Sequence, residues 1–443
     1  MYMTKREAEL FLEQINQYGS VPGLSNVTEL AKRLGNPQDA LCFVHIAGTN
    51  GKGSVLKLVS DACKASGIRT GVYLSPTLTD YRERFQINGR MISKQKLYSY
   101  LERLKEACDS MVEDGLTHPT AFEMETALAF LYFKEENCRL VVLECGMGGD
   151  MDATNIIQNT RVAVLTSISM DHMAFLGNSL GEIATHKAGI LKEGASVVCY
   201  PSDEEVLKVI KEKAAECKIP EENIKITDAS LLKNVRYRLE KQQFSYKTHE
   251  KMKLGLAGRY QILNAAVALD VLDTLKEQGF PIKETAVRKA FLEAKWPGRM
   301  EILDQKPLFV IDGAHNEDAA EKLAASIDFY FTNKKIIYIM GVLRDKDYSQ
   351  MIEKTYRYAD QIITVKTPDN PRAMDAYELA LKVKRVHDKV TVADSLCEAV
   401  EMAYLLADKD SVILAFGSLS YLGALRQIVA ERKERKGKQV TKI

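Results

Sequence analysis

The sequence lacks a strong excess of charge of either sign. Its 61 Lys and Arg residues balance 60 Asp and Glu residues, and the net charge is +1. A chain of this charge presents no broad positive field to nucleic acid or to an acidic membrane surface. We therefore expect neither nucleic acid nor a membrane as a partner.

A long hydrophobic segment is also missing. No apolar run reaches the length of about 18 residues that a membrane helix needs, and the first ten residues lack the pattern of a signal peptide. The hydrophobic content of 46% and charged content of 27% are those of a soluble globular protein. We expect a cytoplasmic protein.

Cysteine spacing excludes a further group of structures. None of the eight cysteines has the CxxC spacing of a zinc ribbon or a redox motif. Most of them lie in apolar segments, so we interpret them as reduced, buried thiols rather than as disulfides or zinc ligands. They are Cys42, Cys63, Cys108, Cys138, Cys145, Cys199, Cys217 and Cys397.

What the sequence does contain is a glycine-rich loop at residues 46–54. An apolar run at residues 41–46 predicts a buried strand before it, and residues 54–65 predict a helix after it. Strand, glycine loop and helix point backbone N–H groups and the positive end of a helix dipole at phosphate. The segment therefore predicts a nucleotide-binding loop.

Individual side chains of the loop suit phosphate and magnesium. Lys52 would contact the outer phosphates, and Ser54 or Thr49 would offer a hydroxyl to them or to Mg²⁺. The loop departs from the commonest pattern, because Gly53 separates Lys52 from Ser54. The alternative is a glycine-rich turn without a ligand, but the agreement of strand, loop and helix favours a nucleotide.

The alternation of apolar runs and helical stretches predicts two α/β domains. A chain of 443 residues exceeds one ordinary core, and the alternation is typical of parallel sheets covered by helices. Residues 295–299, which hold the only Trp, separate two sets of strands, so we predict domains of residues 1–296 and 297–443. Residues 225–256 instead predict an exposed hairpin. The predicted strands are 41–47, 70–74, 140–144, 162–167, 196–200, 308–311, 336–341, 361–365, 390–393 and 411–416.

Polar side chains follow two of the strands in the first set. Glu144 ends the strand 140–144, while Asp171 and His172 follow the strand 162–167. Ligands of open α/β sheets bind at the carboxyl ends of the strands, where Glu144 could ligate Mg²⁺. The alternatives are a solvated acid at a strand end and a structural histidine.

Lys187 lies in a segment, residues 180–191, that predicts a helix. Periodicity alone favours a surface lysine. An ammonium group cannot bind a divalent metal, but the carbamate formed when CO₂ adds to the neutral amine is a carboxylate-like ligand. Both interpretations stay open at this point.

In the second domain, the predicted strand 308–311 is followed by Asp312 and then by His315 and Asn316. Asp312 and His315 would face the cleft between domains, where a site can close on its substrates and exclude water. The alternative is a strand-to-helix turn with Asn316 near the N-cap.

Together these segments resemble the folylpolyglutamate synthase and dihydrofolate synthase family, part of the Mur-type ATP-dependent amide ligases. The resemblance covers essentially the whole chain, in ten segments that follow the family's order. They are residues 45–54, 75–76 with 81–89, 143–155, 167–177, 187–190, 258–261 with 264–266, 296–301, 312–316, 345–347 and 416–419.

The resemblance implies an N-terminal P-loop three-layer α/β ATPase domain, like that of Mur ligases, and a smaller C-terminal Rossmann-like α/β domain. It implies that ATP drives the addition of L-glutamate to folates and to dihydropteroate through an acyl phosphate. A monomer is the family's usual form, and a potassium requirement is left open. The alternatives are another Mur-type amino-acid ligase with a different acceptor and a P-loop kinase or regulator, which would not need Arg299 or the strand end at Asp312.

The resemblance also assigns roles to residues. Glu144, His172 and Lys187 are the candidate catalytic residues, with Mg²⁺ at two sites. Matches to the family's ATP contacts are Asn50, Gly51, Lys52, Gly53, Ser54, Asn264, Arg299 and Asp312. Matches to its magnesium ligands are Ser75, Glu144 and His172, with Lys187 as the carbamylated lysine. Matches to its substrate site are Val21, Pro22, Gly23, Thr120, Ala121 and Met151 at the pterin, together with His315.

The chain departs from the family's pattern at three positions. Thr77 replaces a His that many members carry, Asp150 replaces an Arg, and Glu317 replaces a Pro. The change at Asp150 reverses a charge near the implied pterin pocket. It leaves the ATP machinery intact and the choice of acceptor open.

Overall fold

The structure, a computed structural model, describes residues 3–15 and 23–440, of which residues 436–440 are described by backbone alone. The strands in this part of the chain are β1 Phe43–Ala47, β2 Thr70–Tyr73, β3 Phe85–Ile87, β4 Arg90–Met91, β5 Leu140–Glu144, β6 Thr160–Leu165, β7 Ser196–Cys199, β8 Ile224–Ile226, β9 Leu232–Arg236, β10 Gln242–Tyr246, β11 His249–Leu254, β12 Glu301–Gln305, β13 Leu308–Ile311, β14 Ile336–Met340, β15 Gln361–Thr364, β16 Val390–Val392 and β17 Val412–Phe416.

The α-helices of the described residues separate most of these strands. They are α1 Lys5–Ile15, α2 Ser25–Arg33, α3 Lys52–Ala65, α4 Lys94–Glu113, α5 Ala121–Glu135, α6 Met173–Leu176, α7 Leu180–Ala188, α8 Glu204–Glu216, α9 Gln261–Glu277, α10 Glu284–Glu293, α11 Glu317–Tyr330, α12 Tyr348–Thr355, α13 Ala376–Val383, α14 Leu396–Leu406 and α15 Leu419–Val440. None of them combines the length and the apolarity needed to cross a membrane.

The chain forms two compact units. Unit 1 takes its described residues from Met1–Lys233, Ser245–Met252 and Leu263–Ala294, and unit 2 from Asn234–Phe244, Lys253–Ile262 and Lys295–Ile443. The domain division proposed from the sequence, between residues 296 and 297, stays a prediction. It did not anticipate that two short earlier segments group with unit 2.

Unit 1 is built on an eight-stranded sheet in the order β4-β3-β2-β5-β1-β6-β7-β8. Six neighbouring strands, β2, β5, β1, β6, β7 and β8, run parallel. At the other end of the sheet, β3 pairs antiparallel with both β2 and β4. Every residue of β1 and β5 is buried, so both faces of the sheet centre are covered. The α/β fold expected from the sequence is confirmed for this unit.

The apolar core shows why the helices cover this sheet. Phe43 of β1 and Leu143 of β5 join a buried cluster with α4 and α5 that includes Phe130 and Leu104. The intervening strand residues are also buried, and α3 packs against β1, β2 and β5. Burial on both faces explains why these strands appear in the sequence as continuous apolar runs.

Unit 2 contains a six-stranded sheet in the order β12-β13-β17-β14-β15-β16. Five strands are parallel, and β12 pairs antiparallel with β13 at one edge. The five parallel strands are those predicted from the sequence, and β12 is an addition. This confirms a second α/β sheet after residue 300.

The hairpin predicted within residues 225–256 is in fact a three-stranded sheet in the order β11-β10-β9. The prediction of an exposed hairpin is wrong for β10, in which four of the five residues are buried. It also omitted β11, whose burial alternates only in part.

All eight cysteines are free thiols, as expected. The expectation of burial is confirmed for Cys63, Cys108, Cys138, Cys145 and Cys199. It is wrong for Cys397, which is exposed on α14, and only partly right for Cys42 and Cys217.

A histidine with two acidic partners joins β11 to two helices of unit 1. His249 is buried, with Nδ1 at 2.9 Å from Glu284 Oε2 of α10 and Nε2 at 3.2 Å from Asp273 Oδ1 of α9. A neutral imidazole has one N–H group, so only the imidazolium donates to both carboxylates. Burial lowers the pKa of His249, but hydrogen bonds and charge from Asp273 and Glu284 outweigh burial and raise it above 6.5.

We predict that His249→Gln makes stability less dependent on pH. Because the folded pKa is above the unfolded value, the stabilisation by His249 is complete below about pH 6.5 and is lost as the pH rises through the folded pKa. Urea unfolding at pH 6 should show wild type about 2 kcal/mol more stable than the variant, and the difference should shrink at pH 9. His387→Gln, whose ring bonds the carbonyl of Ala359, is the control. A difference that stays constant with pH would contradict the assignment.

Candidate active site

The order of strands in the large sheet places four of the predicted site segments side by side. β2, β5, β1 and β6 are consecutive neighbours, with Glu144 in register with Ile46 and Ala47 in register with Leu165. Ser75, Glu144, the glycine loop and the segment 167–172 therefore follow the carboxyl ends of four adjacent strands. This edge is where open α/β sheets bind ligands.

The glycine loop leaves no space for side chains at two positions. A Cβ atom on Gly48, whose φ is +147°, would lie 1.9 Å from Thr166 Oγ1. A Cβ atom on Gly51, with φ of +93°, would lie 2.8 Å from Asn264 Oδ1. Asn264, predicted as a nucleotide contact, is thus adjacent to the loop, as the prediction requires.

The helix after the loop begins at Lys52, two residues earlier than predicted, and Gly51, with a φ in the left-handed region, is its N-cap. Gly53 and Ser54 therefore lie in the first turn of α3. Backbone N–H groups of a first helical turn lack partners within the helix and are the groups that bind phosphate. The conformation supports the predicted role of residues 50–54.

Thr49 joins the loop to the end of β6. Its Oγ1 donates to the carbonyl of Ser169 at 3.0 Å and accepts from the N–H of Ser169 at 3.1 Å. Its own N–H donates to the carbonyl of Ser167 at 2.7 Å, and Asn50 bridges Ser167 as an antiparallel pair. The hydroxyl of Thr49 is therefore engaged in bracing the loop, and its predicted contact with phosphate or Mg²⁺ stays a prediction.

Two lysines share one carbonyl of the loop. Lys52 Nζ donates to Gly48 O at 2.9 Å and to Thr49 O at 3.2 Å, while Lys187 Nζ donates to Gly48 O at 3.0 Å. Lys187 is 5% exposed, so the interpretation as a surface lysine is wrong. Burial, reinforced by the charge of Lys52, lowers the pKa of Lys187 to about 7. A large fraction of this amine is therefore neutral near pH 7.

The predicted metal ligands differ in their surroundings. Glu144 is 6% exposed, which excludes the alternative of a solvated strand-end acid, and Ser75 is half-buried. His172 precedes α6 with a φ of +51°, and its side chain is 38% exposed. Its N–H donates to Asp171 Oδ1 at 2.9 Å. Among the described residues, no three or more His, Cys, Asp or Glu side chains lie together as a group that could hold a metal ion. The predicted metal ligands include only two residues of these types, Glu144 and His172.

A buried polar network fixes the loop that follows β5. His45 Nε2 lies 2.9 Å from Thr154 Oγ1 and 3.0 Å from Cys145 Sγ. Burial lowers the pKa of His45 to about 3, so the ring is neutral. Asp152 accepts from the N–H groups of Met147 and Thr154 at 2.9 and 3.0 Å. The loop carrying Met151 is thereby tied to the strand that leads into the glycine loop.

The predicted pterin residues lie at the start of α5, in the loop after β5 and before α2. Thr120 caps α5 and exchanges hydrogen bonds with Glu123, so it also has a structural role, and Ala121 begins the helix. A Cβ atom on Gly146 would lie 2.7 Å from the ring of Phe122, so the start of α5 packs on the loop after β5. Met151 in that loop is 54% exposed and available for contact. Val21 and Pro22 lie outside the described residues, and Gly23 has a φ of +139°.

In unit 2, Asp312 is buried and holds a tight turn. It accepts from the N–H groups of Met300 and Ala314, each at 2.9 Å, and from Tyr260 OH at 3.2 Å. Burial raises its pKa, and the charge of Arg299 opposes that rise. Arg299 also lies close to Gly313, where a Cβ atom would be 2.2 Å from its Nη1.

The turn leads into α11, as in the strand-to-helix turn that the sequence analysis gave as the alternative. Asn316 caps the helix through the N–H of Ala319 at 2.9 Å, so the N-cap interpretation is confirmed. His315 Nδ1 lies 2.7 Å from the carbonyl of Gly313. The roles of Arg299, Asp312 and His315 toward ligands stay predictions.

Several residues of the site were not identified as such from the sequence. Ser167 and Ser169 act through their backbones, which composition does not reveal. Tyr260 lies in segment 258–261, which is part of the family resemblance. Its place in that segment was the only feature of the sequence that pointed to a role in the site. Gly48 was counted only as part of the glycine-rich turn.

Family models match most of the chain. The Mur ligase middle domain matches residues 46–272, and the Mur ligase glutamate ligase domain matches residues 298–419. The chain is 32% identical over 435 residues to the dihydrofolate synthase/folylpolyglutamate synthase of Bacillus subtilis, covering 96% of this chain and 99% of that protein. It is 31% identical to the folylpolyglutamate synthase of Lacticaseibacillus casei, covering 90% and 93%.

Solved structures with bound nucleotide are similar as well. The Mycobacterium tuberculosis folylpolyglutamate synthase complexed with ADP gives a TM-score of 0.87 at 28% identity, covering 95% of this chain and 99% of that one. E. coli FolC in complex with DHPP and ADP gives a TM-score of 0.83 at 27% identity, covering 96% and 98%.

We predict that Thr49→Val weakens nucleotide binding without unfolding the protein. Valine keeps the size of threonine but removes the two hydrogen bonds to Ser169, so the loop loses its brace. The dissociation constant for Mg-ADP, measured by calorimetry, should rise about tenfold, as expected for two net hydrogen bonds. Thr49→Ser keeps the hydroxyl and should bind within about threefold of wild type. Equal affinity of Thr49→Val and wild type would show that the brace does not matter for binding.

Proposed function

The chain belongs to the Mur ligase family and, within it, to the folylpolyglutamate and dihydrofolate synthases, and we propose that it uses ATP to add L-glutamate to a folate. The observation that carries the proposal is the glycine loop of unit 1, with the buried Lys187 on the carbonyl of Gly48. We further propose that dihydropteroate serves as a second acceptor. In this proposal the enzyme is a monomer of the cytoplasm.

The chemistry needs no protein nucleophile. The carboxylate of the acceptor attacks the γ-phosphorus of ATP, so that a carboxylate–phosphorus bond forms and ADP leaves. The amine of L-glutamate then attacks the acyl phosphate, loses a proton, and expels inorganic phosphate as the amide forms. Phosphoryl transfer of this kind depends on positioning and on charge neutralisation.

The glycine loop supplies both requirements. The N–H groups in the first turn of α3 would hold the phosphates, and Lys52 would turn from the carbonyls of Gly48 and Thr49 to the outer phosphates. Asn264 stands beside Gly51 and would contact the nucleotide. From unit 2, Arg299 and Asp312 are proposed ATP contacts, and His315 a substrate contact.

The residues at the strand ends suit magnesium. Mg²⁺ prefers oxygen ligands, and Glu144 offers a buried carboxylate at the strand end next to the glycine loop. Ser75, Glu144 and His172 would hold Mg²⁺ at two sites, where it would neutralise charge on the phosphates. Whether K⁺ is also required is decided by running the assay below with and without it.

Lys187 would join this set as a carbamate. Carbamylation needs a neutral amine, and the lowered pKa of about 7 supplies it. The modification would replace a buried, partly charged amine beside Lys52 with an anion, so that attraction takes the place of the repulsion between the two lysines. The pterin would contact Val21, Pro22, Gly23, Thr120, Ala121 and Met151.

A phosphate-release assay tests the proposed function. With Mg-ATP and L-glutamate, we expect release with tetrahydrofolate and with dihydropteroate, and none when glutamate is omitted. Glu144→Gln should still bind ADP but turn over at a rate reduced at least about a hundredfold. Release with one acceptor would make the enzyme monofunctional. Release with neither, while ADP binds, would mean a different acceptor.

The carbamate is tested by chemical rescue. We predict that Lys187→Ala loses activity and that a short carboxylate such as acetate partly restores it, because acetate can occupy the space of the carbamate. Lys187→Arg keeps the charge, fills the space, and should not be rescued. An active Lys187→Ala variant that ignores acetate would refute the carbamate.

A further inference from the structure

Asp150 occupies a position where many members of the family carry Arg, in the loop after β5. The structure shows what its carboxylate contacts. His186 Nδ1 lies 2.9 Å from Asp150 Oδ2 and 3.1 Å from Asp150 Oδ1. His186 is in the last turn of α7, directly before Lys187.

The backbone around this pair is closely packed. The N–H of Asp150 donates to the carbonyl of His186 at 2.9 Å. Asn155 Nδ2 donates to the carbonyls of both Asp150 and Gly189, at 3.1 and 3.0 Å. The loop and the end of α7 are therefore joined by main chain, by Asn155 and by the Asp150–His186 pair.

Glycines on both sides allow this approach. A Cβ atom on Gly149 would lie 2.6 Å from the carbonyl oxygen of His186, and one on Gly189 would lie 2.4 Å from the Cβ of Asp150. Because the surfaces touch without spare room, a small movement of one moves the other. The position of Met151 thus depends on the end of α7.

We propose that Asp150 and His186 form a positioning pair that holds the loop 147–152 on the end of α7 and thereby sets the affinity for the acceptor. The proposal rests on the proposed function, because it assumes that Met151 contacts the acceptor. The pair links that contact to the helix that carries Lys187.

A negative charge at position 150 suits the partner of this residue, His186. His186 donates through Nδ1, and Lys213 of α8 adds a positive charge within electrostatic reach of Asp150. An arginine at position 150 would remove the acceptor of His186 and add a cation near Lys213, whose own carboxylate partner is Glu216 at 2.7 Å. Restoring the family's usual residue alone should therefore harm this chain, unless position 186 changes with it.

A double-mutant cycle tests the pair. Asp150 and His186 are 39% and 37% exposed, so solvent screens their interaction. Asp150→Ala should raise KM for the acceptor about threefold. Asp150→Arg should raise it about tenfold because of the unpaired cation. His186→Glu alone, which sets two carboxylates against each other, should also raise it about tenfold, and the double variant Asp150→Arg with His186→Glu should return to within about threefold of wild type.

Two readouts separate the possible outcomes. KM for ATP should change less than KM for the acceptor in every variant, because the hydrogen bonds of the Asp150 N–H and of Asn155 still hold the end of α7 that carries Lys187. Hydrogen exchange of residues 146–152 in the protein without ligand should be faster in both single variants at position 150 and slower again in the double variant. Should Asp150→Arg misfold, Asp150→Ala carries the test.

The results decide between the two proposals. Exchange that recovers in the double variant, with acceptor KM following it, supports the positioning pair. A double variant no better than Asp150→Arg, or an unchanged acceptor KM, overturns it. If wild type ligates no folate, the proposed function fails, while the exchange cycle still shows whether the pair positions the loop.

Discussion

The carbonyl oxygen of Gly48 accepts hydrogen bonds from two lysines, and the arrangement of the site depends on this shared acceptor. Lys52 comes from the loop itself, but Lys187 must reach the same atom from α7. Burial, reinforced by the charge of Lys52, raises the free energy of the charged form of Lys187 and lowers its pKa to about 7. The end of α7 must therefore be held firmly, and the loop after β5 supplies that support.

The sheet brings these parts together because its strand order differs from the chain order. β5 lies between β2 and β1, so that Glu144 is beside a loop almost a hundred residues earlier in the chain. A slip of one residue in register would move the buried side chains to the other face. All residues of β1 and β5 are buried, which fixes how the two strands align and therefore where their carboxyl ends lie.

The sequence predicted the central strands well, because strands buried on both faces leave long apolar runs; 140–144 was correct at both ends. It missed β3, β4, β8 and β12, which lie at or next to a sheet edge and are too short or too exposed to leave such a run. In the site, the loop and the strand-end residues were found from their order along the chain. The burial of Lys187 was not, because a nine-residue helix carries too few turns to reveal which face another segment covers. Nor was the engagement of Thr49, which depends on a carbonyl 120 residues away.

Cys397 gives the second unit a reactive group of its own. Burial raises the pKa of the thiols of Cys63, Cys138 and Cys199 to about 12, which keeps them protonated and slow to react. Cys397 is exposed on α14 and meets reagents directly. A maleimide dye added in limited amount would label this position ahead of those buried thiols. With a second dye placed in unit 1, energy transfer would report the distance between the units in solution, while ligands bind.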